Sequence, residues 1–301
     1  MPSQRLGAMP YLALILNALV WGVSWWPLRE LQGEGLHPLW SSAATYLLGA
    51  VVLVCTIPKV LAEFIEHKPL WLLALAAGTT MVGFNWGVSI GEVIRVVLLF
   101  YLMPIWAVLI ARVVLKETIT LKAVLRVVLA FAGAVLVLSP DGSLGFPVPS
   151  NMAEWLGLMG GAAFALNNIM LRHQAKRTAQ SRLFAMFVGG VVAPLVVATA
   201  LGLLLGEGNL LVQWPVVPGM YGILVLIGFA VTLLVANYGL QYGASRLPAN
   251  VTSVVMLSEV VFATLSAILL TDEVLTLQVG IGGAMILLAA ALSALDGNDA
   301  H

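Results

Sequence analysis

Glu259 is a carboxylic acid set near the middle of a largely apolar run, residues 248–270. Apolar surroundings penalise its charged form, so the group must pair, take a proton or face a polar space. Three uses are open to it: binding a cationic amino group, taking up a proton, or anchoring a neighbouring helix by hydrogen bonds. Asn17, Trp21 and Ser24 follow steps of four and three, which place them on one helical face. Trp21 can stack on a ring or bulky side chain while Asn17 and Ser24 hydrogen-bond polar atoms; ordinary helix packing is the competing account. Asn85-Trp86-Gly87 and Asn237-Tyr238-Gly239, with Gln241 nearby, pair an amide with an aromatic and a small residue. Asn167 and Asn168 add a further polar cluster. Tyr101 and Trp106 flank Pro104, which removes one intrahelical hydrogen bond and can kink its helix. Trp25 and Trp26 suit an interfacial belt.

The elements that must hold these residues are long apolar helices. Apolar types make up 61% of the 301 residues and charged types 9%, against roughly 25% charge in a soluble domain. Ten stretches are of spanning length, over approximately 10–28, 39–58, 70–90, 93–112, 120–138, 154–171, 183–205, 216–236, 248–270 and 275–293; a bilayer core of about 30 Å needs about 20 helical residues. The expected fold is therefore an all-α integral membrane protein with ten transmembrane helices. The first stretch has no small-residue cleavage site and reads as a retained helix.

Charge orients the spans. With the N-terminus in the cytoplasm, Arg5, Lys59, Lys68, Arg112, Lys116, Lys122, Arg172, Lys176, Arg177, Arg182 and Arg246 fall on inner connectors, eleven of the fourteen Lys and Arg residues. Glu30, Glu34, Glu92, Asp141, Glu207, Asp272 and Glu273 collect on the other side with Arg29 and Arg95. Positive charge near short loops sets topology, so both termini are expected in the cytoplasm, with membrane lipids around the bundle.

Enzyme chemistry has no visible constellation: HExxH, GxSxG, Walker and dinucleotide fingerprints are all missing from the sequence. His37, His67, His173 and His301 form no metal-ligand cluster, and Cys55 stands alone in an apolar run. No cofactor and no nucleic-acid partner is expected, and no nucleotide-binding domain is encoded in the chain.

The Pro/Gly/Ser-rich stretch Ser139–Ser150 divides the chain into residues 1–138, a linker at 139–153, and residues 154–301. Five spans on each side require the two halves to enter the membrane in opposite senses, the geometry of a five-plus-five inverted repeat. Local similarity supports duplication. Asn85-Trp86-Gly87-Val88 parallels Asn237-Tyr238-Gly239-Leu240, and Leu115-Lys116-Glu117-Thr118 parallels Thr271-Asp272-Glu273-Val274. Asn-to-Glu separations are 32 and 36 residues. Glu117 and Glu273 stand at span ends, where each can cap the helix that follows.

Trp21-Gly22-Val23-Ser24, Asn85-Trp86-Gly87, the Glu117 and Glu273 elements, and Ser258-Glu259-Val260-Val261-Phe262 give the chain its resemblance to the EamA-type branch of the drug/metabolite transporter superfamily. Within that branch it is most similar to bacterial inner-membrane exporters of aromatic and other neutral amino acids. The resemblance implies a secondary transporter that exports small amphipathic metabolites by alternating access, through a central cavity lined mainly by spans 1, 3, 4, 6, 8 and 9. One monomer suffices for such a pathway. Together with the residue types and spacing above, the expected substrate-contact set is Asn17, Trp21, Ser24, Asn85, Trp86, Tyr101, Asn168, Asn237, Tyr238 and Glu259. Two departures stand out. Leu102-Met103-Pro104 occupies the place of Ser258-Glu259-Val260 in the first half, so the acid occurs once, and Val260 replaces the family's usual Pro. A channel and a non-transporting interaction or receptor module are the competing functional classes.

Overall fold

The computed structural model describes residues 8–110, 112–113, 120–139, 148–174, 176–205, 212–247 and 249–296, and among them every regular element is helical. The helices are α1 (Met9–Val23), α2 (Trp25–Gly33), α3 (Pro38–Thr56), α4 (Lys59–Glu66), α5 (Pro69–Ile90), α6 (Val93–Phe100), α7 (Met103–Ile110) and α8 (Leu121–Leu138). The second half holds α9 (Met152–His173), α10 (Ala179–Leu205), α11 (Met220–Ala244), α12 (Ala249–Met256), α13 (Ser258–Leu270) and α14 (Leu277–Asp296). Local chemistry sets several starts. Pro10, Pro38 and Pro69 occupy first-turn positions that need no donor. Asn151 Oδ1 accepts from the Glu154 amide at 3.0 Å while Glu154 Oε2 accepts from the Ser150 amide at 2.7 Å, a reciprocal cap on α9.

Seven helical stretches are long and apolar enough to cross a membrane: 9–33, 38–56, 69–90, 93–110, 121–138, 179–205 and 220–244. The other three expected spans correspond to α9, α12–α13 and α14. α9 has the length but carries Glu154, Asn167, Asn168 and Arg172, and the apolar stretches 254–270 and 277–293 are shorter. The eighth expected span is displaced toward the C-terminus, from 216–236 to Met220–Ala244, because Pro215 and Pro218 disfavour helix before them. Asn237 thus lies two turns inside α11. Glu117 and the Leu115–Thr118 element lie outside the described residues.

Three of these stretches are broken. α1 gives way to α2 at Ser24, α6 to α7 at Tyr101–Leu102, and α12 to α13 at Leu257. At Ser24 the backbone N–H turns back three residues to Trp21 O at 3.2 Å, and the hydroxyl donates to the same carbonyl at 2.7 Å. Ser258 Oγ donates to Val255 O at 2.7 Å in the same manner. Such side-chain bonds compete with the helical ladder and bend it. Pro104 lies in the first turn of α7, where its missing N–H costs nothing.

α5 packs on α9 and α10, α1 on α11, α12 and α13, α3 on α10 and α11, α9 on α6 and α7, and α8 on α14. Exchanging the first expected span with the sixth, the second with the seventh, and so on returns these same pairings. Small residues allow the approach: a Cβ on Gly83 would lie 2.6 Å from Leu156 O on α9, and one on Gly133 2.6 Å from Gly282 O on α14.

Contacts gather five connectors at one end of the bundle. Arg29 on α2 reaches the α5–α6 junction and the α13–α14 connector; Glu30 and Glu34 reach the start of α11; Arg95 reaches Glu154 at the start of α9. This end is rich in Glu and is called the acidic end below. Lys59, Lys68, Arg172, Arg177 and Arg182 lie on the connectors or in the adjoining helix turns at the opposite, basic end, where Ser181 Oγ donates to Glu63.

Candidate functional site

The three helix breaks converge, and polar chemistry concentrates where they meet. Tyr101, at the α6–α7 break, donates from Oη to Glu259 Oε2 at 3.1 Å. Glu259 sits in the first turn of α13, just past the α12–α13 break, and is buried. Its backbone carbonyl faces Gly22, two residues before the Ser24 break. A Cβ at position 22 would stand 2.7 Å from Glu259 O, 2.8 Å from Phe262 Cβ and 2.9 Å from Ala263 N. Glycine is therefore needed for α1 to touch α13.

An aromatic wall leads away from this pair. The Trp21 ring meets Phe84 edge-on at 6.2 Å, Phe84 meets Phe100 at 4.9 Å, and Phe100 meets both Tyr101 at 5.9 Å and Phe164 at 5.2 Å. The rings come from α1, α5, α6 and its break, and α9, elements that are remote in sequence. Trp21 is only partly buried, whereas Phe84, Phe100 and Tyr101 are buried. A carboxyl and a phenol at one end of an aromatic wall form an amphipathic surface. A carboxyl can accept hydrogen bonds from an amino group, and aromatic rings can pack against an apolar or aromatic body.

The other expected residues divide by location. Asn17 is fully buried one turn before Trp21, and among the described residues neither its amide nitrogen nor its oxygen has a partner. Along the α1–α11 contact Gly239 meets Ala13 and Gly243 meets Pro10 and Leu14; continued by one turn, that register sets Asn17 level with Ala236 and Asn237. Asn237 Nδ2 donates to Leu233 O of its own helix at 2.8 Å, and Tyr238 is exposed. Ser24 is spent on the α1–α2 break. Asn85 Nδ2 donates to Ser42 Oγ on α3 at 2.9 Å, so this amide ties α5 to α3. Trp86 lies apart from the aromatic wall, edge-on to His37 at 5.2 Å and packed with Leu39, Leu156 and Ala198. On α9, Asn167 is buried with its Oδ1 unpartnered, while Asn168 is exposed. Asn168 follows Phe164 by four residues and Gly161 by seven, and so shares the face packed on Phe100.

Two expectations are corrected. Trp25 is no belt residue: it is buried and its Nε1 donates to Ser266 Oγ on α13 at 2.9 Å, leaving Trp26 exposed. Glu273 does not cap the helix that follows it. Its carboxylate accepts from the Val93 and Ile94 amides at 2.8 and 3.1 Å, capping α6 in the other half of the chain, while Thr276 Oγ1 accepts from the Val279 amide at the start of α14. Arg29 completes this cluster. Its Nη2 donates to Gly91 O at 2.6 Å and Val88 O at 3.1 Å, and stands 3.8 Å from Glu273 Oε1. Phe84, Phe100, Phe164, Gly22, Arg29 and Ser266 are participants that sequence reasoning misses. Of these only Gly22 lies within a quoted motif, and Arg29 stands out in the sequence solely as an outer charge. Among the described residues no group of three or more His, Cys, Asp or Glu side chains could hold a metal ion.

Residues 8–139 match the model of the EamA-like transporter family, a segment that coincides with the first expected repeat. A solved structure titled only as the crystal structure of a protein aligns over 96% of this chain and 98% of its own, with a TM-score of 0.55 at 18% identity, which shows a shared fold. No curated protein matches the chain. Apolar helices and the family match together make this a multi-pass membrane protein whose first half is similar to a transporter family.

Proposed function

We propose that this protein is a secondary transporter that exports small amphipathic metabolites, with aromatic and other neutral amino acids as the leading substrates. The observation that carries the reading is the Tyr101–Glu259 pair, buried where three broken helices meet and bordered by an aromatic wall. Polar groups at helix breaks are the means by which membrane carriers hold substrates near the bilayer midplane. Glu259 and Tyr101 take the amino group, Trp21 and its ring partners take the side chain, and Asn17 supplies amide hydrogen bonds to the polar head. Asn85, Trp86, Asn168, Asn237 and Tyr238 surround this core as secondary contacts and as ties between helices.

The architecture proposed is ten spans in two inverted five-helix units, residues 1–138 and 154–301 joined by the 139–153 linker, with both termini cytoplasmic in a bacterial inner membrane. Recurrence of the same helix pairings in both halves supports the repeat. Five connectors gathered at one end support ten crossings, since a helix that failed to cross would leave the connectors after it at the wrong end. Alternating access then follows from rearrangement of the two units around one central site, and one monomer provides the pathway.

The test is a proteoliposome panel of amino acids and related metabolites, measured with and without imposed pH and counter-substrate gradients. Saturable flux of an aromatic or neutral amino acid is expected. Flux proportional to concentration without saturation would assign a channel, and no flux from folded, inserted protein would favour a non-transporting module.

A further inference from the structure

We infer that Glu273 is the latch of a gate at the acidic end, and that the gate's moving parts are the half-helices α2, α6 and α13, hinged at the breaks that build the substrate site. This assignment rests on the transport reading above and adds its regulation.

The acidic-end halves of all three broken spans are joined to one another by direct bonds. Glu273, three residues beyond α13, holds the first two free amides of α6 with both carboxylate oxygens. An anion at a helix N-terminus is held by those unpaired N–H groups and by the helix dipole. Arg29 on α2 stands against the same carboxylate and also clamps the last carbonyls of α5. One turn back on α2, Trp25 lies under the Arg29 guanidinium at 4.9 Å and donates to Ser266 on α13. α2, α6 and α13 therefore form one bonded unit. Glu273 joins its other two members, since its carboxylate engages α6 through the Val93 and Ile94 amides and α2 through Arg29. The side chains of Arg29 and Glu273 keep 28% and 13% of their exposure, so water can reach and replace these bonds, as a reversible closure requires.

Packing on the two sides of the breaks differs as a closed acidic end demands. Every residue of α6 except Arg95 is buried, whereas α7, on the basic side of the same break, buries only Pro104. α13 buries Glu259, Val260, Ala263 and Ala267, whereas no described side chain of α12 is buried. Asn168, toward the basic end of α9, is exposed on the face it shares with Phe164. The structure is thus tight from the breaks to the acidic end and looser toward the basic end. Opening the acidic end requires α2 and α6 to part from Glu273, and the bends at Ser24, Tyr101–Leu102 and Leu257 carry that motion to Trp21, Tyr101 and Glu259.

The experiment uses full-length protein in which Cys55 is replaced by Ala and Ser24 by Cys, reconstituted in vesicles of defined sidedness. A membrane-impermeant thiol reagent is added to each face in turn. From the acidic side, labelling of the buried thiol at position 24 is expected to be slow and to rise at least about fivefold in Glu273→Gln and in Arg29→Gln. A second full-length variant without the Ser24 change, carrying Arg29→Cys with Glu273→Cys, is expected to lose flux when its two thiols are bridged by a bifunctional methanethiosulfonate reagent long enough to replace the two side chains, and to regain it when the bridge is reduced. Unchanged labelling in whichever of the two single variants elutes as folded protein, or full flux in the double-cysteine variant once mass spectrometry shows the bridge in place, would overturn the latch. Labelling needs no substrate. Absence of wild-type flux with the labelling difference intact would therefore count against the transport reading and leave the gate standing.

Discussion

Tyr101 Oη and Glu259 Oε2 lie 3.1 Å apart although 158 residues separate them, and each stands at the point where its own helix is interrupted. The bond crosses from one half of the chain to the other. A hydrogen bond of ordinary strength contributes about 0.5–1.5 kcal/mol net, roughly two- to tenfold in an equilibrium constant. Tyr101→Phe is therefore expected to weaken substrate affinity about two- to tenfold, with KM rising before the insertion level changes. Glu259→Gln should keep the fold and lose more. A fall in thermal stability with unaltered KM in both variants would reduce the pair to a helix tie.

Trp21→Ala should impair flux without preventing insertion, because Trp21 is only partly buried and touches one ring, Phe84. An edge-on aromatic pair contributes about 0.5–1.5 kcal/mol beyond area burial, and a stacked substrate loses a comparable amount. A KM increase of about three- to tenfold is expected, with Trp21→Phe recovering most of it. Wild-type binding and flux in the Ala variant would remove Trp21 from the pocket.

Gly22→Ala tests the contact between α1 and α13. The added methyl would meet Glu259 O at 2.7 Å and Ala263 N at 2.9 Å, both backbone atoms. Overpacking of this kind costs about 1–3 kcal/mol. Thermal unfolding in detergent should show the loss, and flux should fall with it because Glu259 is displaced from Tyr101. Unchanged stability would mean that the two helices separate easily at this point.

Asn17→Leu separates stability from function. The buried amide has no protein partner for either polar atom, and an unpaired buried polar group costs about 1–3 kcal/mol. An apolar residue of similar size should raise the unfolding temperature and at the same time reduce substrate affinity. A stabilised variant with full affinity would show that Asn17 is not a substrate contact.

Much of the architecture is legible from composition and periodicity, because hydrocarbon solvent enforces long uninterrupted apolar runs. The first span extends five residues further than expected, to Gly33, since Arg29 and Glu30 are satisfied by protein contacts and need not end the helix. Glu259 and Tyr101 can be singled out because an acid in an apolar run and a Tyr beside a Pro are conspicuous. The rings of Phe84, Phe100 and Phe164 cannot, since nothing in one sequence distinguishes a cavity-side Phe from a lipid-side one. Glu273 reads as a cap, but of the wrong helix. Spacing along the chain favours the nearest N-terminus, and only the fold brings residue 273 to residue 93. Asn85 and Trp86 attract notice as a pair because they are adjacent, yet successive helical residues diverge by about 100° and these two serve different neighbours.

Of the five rings in the wall, Trp21, Phe84, Phe100 and Tyr101 come from residues 1–138, and the acid comes from residues 154–301. Under the proposed transport reading, recognition is divided between the two halves of the chain. A homodimer assembled from the N-terminal unit alone would carry two aromatic surfaces and no carboxyl between them, and one from the C-terminal unit would carry two acids with little to flank them. On the proposed reading, carrying both halves on one chain lets a single site set an aromatic surface from residues 1–138 against one carboxyl from residues 154–301.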